Sequence, residues 1–168
     1  MVAQMEGPAA AKSYVSDYLA ADMPTRLMNY RNTLLVDDSI LPNPVKYLTY
    51  EPFVLDNWPT IITLVESTRN MERVDFTANH DPIYDVTYGM RTYAWVRAVG
   101  PDTVTLARDH MTTVVRESLL DGPALRLAGA SPINPVGVNA EVKIDEASIT
   151  EDFSDLTTLK GERFLAAS

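Results

Sequence analysis

Two imidazoles, 23 carboxylates and no thiol are the groups from which this chain could assemble an active site. His80 sits in Asn79-His80-Asp81-Pro82, with Asp75 and Asp85 a few residues away on either side. Such a cluster could ligate a metal, or supply the base and acid of a small hydrolase. Its spacing matches no HExxH-type pair, and residues at a turn are ordinarily solvated, so no metal site is assigned. His110 falls at the border of an amphipathic helical stretch, where an imidazole reads as a boundary residue. No GxSxG elbow or S-x-x-K pair supports a serine nucleophile, and the Gly-rich stretch 122–137 lacks the GK[ST] of a P-loop. The acidic run Glu141, Asp145, Glu146, Glu151, Asp152, Asp155 lacks the order of an EF-hand. Asp37-Asp38 reads as a solvated face, and the hydroxyl pairs Ser67-Thr68 and Thr112-Thr113 have no visible base. The sequence thus predicts no catalytic residue, no cofactor and no metal.

The elements that would carry any other function come from 168 residues, a length suited to one domain spanning 1–168. With 46% hydrophobic and 22% charged residues, a packed core is expected and wholesale disorder is not. The absence of cysteine removes disulfides, zinc–thiolate sites and thiol catalysis together. A formal charge of −9 argues against wrapping nucleic acid, which takes Lys and Arg on phosphate. No run approaches the ~18 apolar residues of a membrane span. The opening MVAQMEGPAAAK lacks the basic and apolar regions of a signal peptide.

Periodicity predicts two helices at the start, Ala9–Ala21 with Tyr14, Val15, Tyr18 and Leu19 on one stripe, and a second after a break at Asp22-Met23-Pro24. Residues 36–59, with Pro42, Pro44, Pro52 and Pro59, predict an irregular arm. Within it, Lys46–Tyr50 and Phe53–Leu55 are candidate edge strands and Trp58 a candidate anchor. Thr60–Ser67 is a β-rich apolar run that Met71, Arg73 and Phe76 continue. After the turn formers at 79–82, Tyr84–Val99 alternates: Tyr84, Val86, Tyr88, Met90, Ala94 and Val96 point one way, Asp85, Thr87, Arg91, Tyr93, Trp95 and Arg97 the other. Against a typical strand of about 5–6 residues this one is too long for its domain, unless a bulge breaks it near Gly89. A long β-hairpin arm over 69–99 that meets a neighbouring subunit is the expectation, with Arg69, Met71, Arg73, Phe76, His80, Tyr84, Tyr93 and Trp95 as candidate interface residues.

Gly100-Pro101-Asp102 opens the clearest helix, with Val104, Ala107, Met111, Val114, Val115 and Ser118 on one stripe and Arg108, Asp109, Thr112 and Arg116 opposite. Asp121-Gly122-Pro123 ends it. Ala128–Asn139 reads as a Gly/Pro loop, Val142–Phe153 as weak acidic strands, and Arg163–Ser168 as a strand beginning. The fold class is α+β: an antiparallel or mixed sheet with helices packed on one face.

The order of these pieces resembles the tail terminator, or tail completion, proteins of long-tailed bacteriophages, most closely the forms carried by phages of actinobacteria. The segments that carry the likeness are YLAADMPTRLMNYR, LPNPVKYLTYEP, WPTIITLVEST, YDVTYGMRTYAWVRAV, DTVTLARDHMTTVVRESLL and ITEDFSDL, within residues 9–165. The resemblance implies a ring, usually of six subunits, that caps the tail tube and joins the head-side stopper protein. It implies sheets lining a channel through which genomic DNA passes, helices outside, and no catalytic residues. It places the protein in the neck of the virion, and in the host cytoplasm during assembly, with no membrane partner. An acidic channel wall would repel DNA phosphates, in keeping with passage without sticking. A head-closure, adaptor or tail tube protein is the alternative within the same setting. A small hydrolase using Asp75, His80 and Asp85, or a binding module, lies outside it.

Overall fold

In the computed structural model, the described residues are 7–76, 82–97, 101–121, 157–159 and 162–167. Helix α1 covers Pro8–Leu34, β1 Lys46–Leu48, β2 Thr60–Phe76, β3 Pro82–Arg97, α2 Pro101–Asp121, β4 Thr157–Leu159 and β5 Glu162–Ala167. The strands form one sheet in the order β1-β2-β3-β5-β4. It is mixed: β1 runs parallel to β2, and every other pair is antiparallel. Both helices pack on it, so the α+β class holds.

The two predicted N-terminal helices are one. Pro24 lies inside α1 rather than between two helices. Proline withdraws one N–H and crowds the carbonyl four residues back, a cost of about 3 kcal/mol in a helix interior. Here Leu19, Met23 and Leu27 recur at four-residue spacing across it, and each is fully buried. At roughly 1.5–3 kcal/mol for each buried side chain, that burial outweighs one missing hydrogen bond. The Arg26 guanidinium also donates to Asp22, tying the turns on either side of the proline.

One core cluster joins Val15, Leu19, Met23 and Leu27 of α1 to Ile61 of β2, Ala94 of β3 and Met111, Val114 and Val115 of α2. Both helices therefore cover the same face of the sheet. Val96, Val104 and Ala107 extend that contact at the start of α2. The predicted α2 stripe is buried throughout, including Ser118. Thr112, expected opposite, is buried as well; its hydroxyl donates back to the Arg108 carbonyl at 2.9 Å, which satisfies it off the solvent. The helices are also tied by polar contacts: Arg26 reaches Asp121 at 2.5 Å, and the Tyr30 hydroxyl donates to Glu117 at 2.8 Å. Burial alone would lower the Arg26 pKa, but its hydrogen bonds to Asp22 and Asp121 raise it.

The Pro-rich segment contributes β1 and is otherwise irregular, as its composition predicts. No strand forms at Phe53–Leu55; Phe53 is fully exposed. Trp58 is half-buried beside Pro59, and the adjoining Thr60 hydroxyl donates to the Asn57 carbonyl at 2.6 Å. Gly122, the loop Ala128–Asn139 and the strands expected over Val142–Phe153 lie outside the described residues. At the far end of the sequence, Glu162–Ala167 is a strand that pairs with β3, Ala94 against Ala167 through Arg97 against Phe164.

Candidate functional site

β2 and β3 stay in antiparallel register from Thr60↔Trp95 to Phe76↔Pro82. Their neighbours do not follow them. β1 pairs only with Thr60–Ile62, and β5 only with Ala94–Arg97. From Thr63 outward on β2, and from Tyr93 outward on β3, the outer edges carry no further strand among the described residues. Burial divides at the same place: Thr60–Thr63 are buried, whereas every residue from Glu66 to Arg73 is exposed. Exposure at consecutive positions means that neither face of β2 is packed there, because successive side chains alternate between faces. Residues 77–81, which connect the two strands and include His80, lie outside the described residues.

Register gives this extension two unlike faces. Cross-strand partners share a face. Thr68 with Tyr88, Met71 with Val86, Arg73 with Tyr84 and Phe76 with Pro82 occupy one face. Ser67 with Gly89, Asn70 with Thr87, Glu72 with Asp85 and Asp75 with Ile83 occupy the other. The first is apolar and basic by composition, the second polar and acidic. The expected bulge near Gly89 is on the opposing strand: the register shifts between Val65 and Ser67, between Thr68 and Asn70, and between Arg73 and Asp75. Those shifts bring Met71, Arg73 and Phe76 onto one face although their spacing is not uniformly two.

Of the predicted interface residues, Arg69, Met71 and Arg73 lie on the exposed extension, with Met71 at 68% exposure. Phe76 and Tyr84 hold register positions on it. Tyr93 and Trp95 do not belong with them. They pair with Ile62 and Thr60 in the body of the sheet and are half-buried. Gly89 sits where the extension leaves the body. A Cβ there would stand 2.5 Å from the Ser67 hydroxyl and 3.2 Å from the Arg69 Nε. Gly89→Val should displace both exposed side chains and weaken the local pairing by about 1 kcal/mol. Faster amide exchange at Ser67–Met71, with the α2 amides unchanged, is the expected reading.

A second surface was not legible in the sequence. α1 ends on Leu35 with φ 57° and ψ 38°, its N–H and that of Val36 both returning to the Arg31 carbonyl. That left-handed position is ordinarily filled by glycine, since a Cβ there costs roughly 1–2 kcal/mol. Leu35 is also 91% exposed, so no burial offsets the cost. Leu35→Gly should accordingly raise stability by about 1 kcal/mol, read as a higher denaturant midpoint at unchanged slope. Met28, two turns earlier on the same side, and Leu34 are exposed beside it. Asp37 and Asp38 follow directly, both exposed. The Asp37 carboxylate accepts from the Ser39 hydroxyl at 2.5 Å and from the Ser39 and Ile40 amides. These bonds hold its pKa below the usual carboxylate range, the Ser39 hydroxyl foremost. Its support for the turn is present above that range and lost as pH falls through the lowered value.

His110 stacks edge-on against Tyr30, ring centroids 6.0 Å apart, within the helix pair. Among the described residues no three His, Asp or Glu side chains gather to hold a metal ion. A cleft of about 360 Å³ runs beside Trp58, Val96, Val104 and Ala107 and includes Ser39, Asp56 and Arg97. The Ser39 hydroxyl donates to the Asp37 carboxylate within its turn, and Asp56 pairs with Lys46 at 3.0 Å. No helix among the described residues is long and apolar enough to cross a membrane. Comparison with protein-family models, with curated proteins and with solved structures returns no match.

Proposed function

We propose that this chain is a structural protein of the phage neck, a tail terminator whose copies, six by the family likeness, close into a ring on the end of the tail tube. The ring docks the head-side stopper protein and leaves a channel for genomic DNA. The observation that carries the reading is the β2/β3 extension, whose β2 strand is exposed on both faces from Glu66 to Arg73 and whose outer edges carry no further strand among the described residues. A two-stranded ribbon is at best marginally stable alone in water, and its edges are templates for another chain. The order of elements supports the same reading, and no catalytic role is assigned.

Mixing the purified chain with assembled tail tubes and imaging them in negative stain is the test. Caps at tube ends are expected; bare ends overturn the terminator reading in favour of a head-side connector. Open fibres of the chain alone would instead make it a tube protein. The net charge of −9 predicts no measurable binding to duplex DNA at physiological salt, because there is little counterion release to drive it. A gel shift at micromolar protein would contradict a channel past which DNA slides.

A further inference from the structure

The apolar stripe of β3 continues past the helices that cover it. Ala94 and Val96 are buried under α1 and α2, and Met90 packs against the same core. Tyr88, Val86 and Met71 lie further along that same face. α1 begins beside Tyr88, where a Cβ on Gly7 would stand 3.5 Å from the Tyr88 hydroxyl. Beyond that point Met71 is 68% exposed. The stripe thus runs from buried Ala94 and Val96 through half-buried Tyr88 and Val86 to Met71, its exposed end among the described residues.

We infer that this face, around Met71 and Arg73, docks on the α1-end patch of a second copy, made by Met28, Leu34 and Leu35 and rimmed by Asp37 and Asp38. Charge and apolar character match on the two sides: a methionine on the same face as Arg73 meets exposed leucines flanked by two carboxylates. The contact runs between copies because of distance. α1 starts at the base of the extension and ends at Leu35, and its 27 residues span about 40 Å at 1.5 Å each. Met71 is only three residues beyond the partner of Tyr88, about 10 Å along the strand, so it falls well short of its own Leu35. Leu35 supplies the third argument. Fold stability favours glycine there, and an exposed leucine held in a left-handed conformation is accounted for by a contact outside its own subunit. Two different patches meeting head to tail make a heterologous contact, the kind that closes rings.

The inference rests on the ring reading for its partner but is tested apart from it. The chain has no cysteine, so introduced thiols report without background. Leu35→Cys and Met71→Cys proteins are mixed, concentrated, oxidised and resolved without reductant; the same is done on tube ends. A 35–71 disulfide at least tenfold above a 71–106 control made with Leu106→Cys is expected. Leu35→Gly should lower self-association tenfold or more without lowering the melting midpoint. Asp38→Arg and Arg73→Asp should each suppress the 35–71 product, and mixing the two should restore it. A 35–71 yield no higher than the control, in solution and on tubes, overturns the contact. So does protection of Met71→Cys from alkylation in dilute monomer, which would assign the cover to the same chain. Capped tubes without a 35–71 product would sink this contact and leave the ring; the product with bare tube ends would do the reverse.

Discussion

Met111→Asp should leave the protein unfolded. Met111 is fully buried between α1, α2 and the sheet, in the cluster that holds both helices to Ile61 and Ala94. The substitution removes a packed side chain, about 2–5 kcal/mol, and puts an unpartnered carboxylate in its place, about 3 kcal/mol or more. The sum is comparable with the whole stability of an ordinary domain, about 5–15 kcal/mol. Circular dichroism should show no cooperative melt, while Met111→Leu, which keeps the volume, melts close to wild type. A soluble Met111→Asp protein with an unshifted midpoint would mean that the α2 stripe does not form the core.

Pro24→Ala should act in the opposite direction, by about 2 kcal/mol. An N–H at position 24 can bond the Ala20 carbonyl, and the interior proline penalty of about 3 kcal/mol disappears. Set against it is the freedom the unfolded chain regains when proline is lost, about 0.4–1 kcal/mol. The midpoint should rise by roughly 4–8 °C for a chain of this size. An unchanged or lower midpoint would show that the half-buried pyrrolidine ring packs well enough to offset the missing bond.

Pro24 also shows where local sequence signals stop. Asp22-Met23-Pro24 reads as a helix boundary because its signal is local; the burial of Met23 and Leu27 that overrules it depends on α2 and β2, which periodicity in α1 does not reveal. α2 was legible because its apolar stripe and polar sides agree with one period and one packing partner. The strands were legible as strands, and their alternation placed β3 correctly on its two faces. β2 was harder, since three register shifts break its alternation, and only pairing reveals that Met71 and Phe76 share a face. The candidate surface was half visible. Arg69, Met71 and Arg73 were singled out by the length of the strands, yet Tyr93 and Trp95 belong to the domain body, because β1 and β5 flank β2 and β3 there. Leu35 had no sequence signal, since Leu-Leu-Val after a helical stripe reads as core. Its left-handed backbone and exposure emerge only from where α1 stops.

The sheet order has a consequence for how the protein is made. β3 sits between β2 and β5, and β5 comes from residues 162–167. β2 and β3 can pair soon after they leave the ribosome, but about 65 residues separate Arg97 from its partner Phe164. At about 5–20 residues per second, the inner edge of β3 waits roughly 3–13 s for its partner strand. During that interval the nascent chain carries an open edge at Ala94–Arg97 as well as along the extension, at a time when many copies are being synthesised together. Slowing elongation between these strands should therefore send more of the product into inclusion bodies, whereas supplying Glu162–Ala167 early, by permuting it to the front of the chain, should send less.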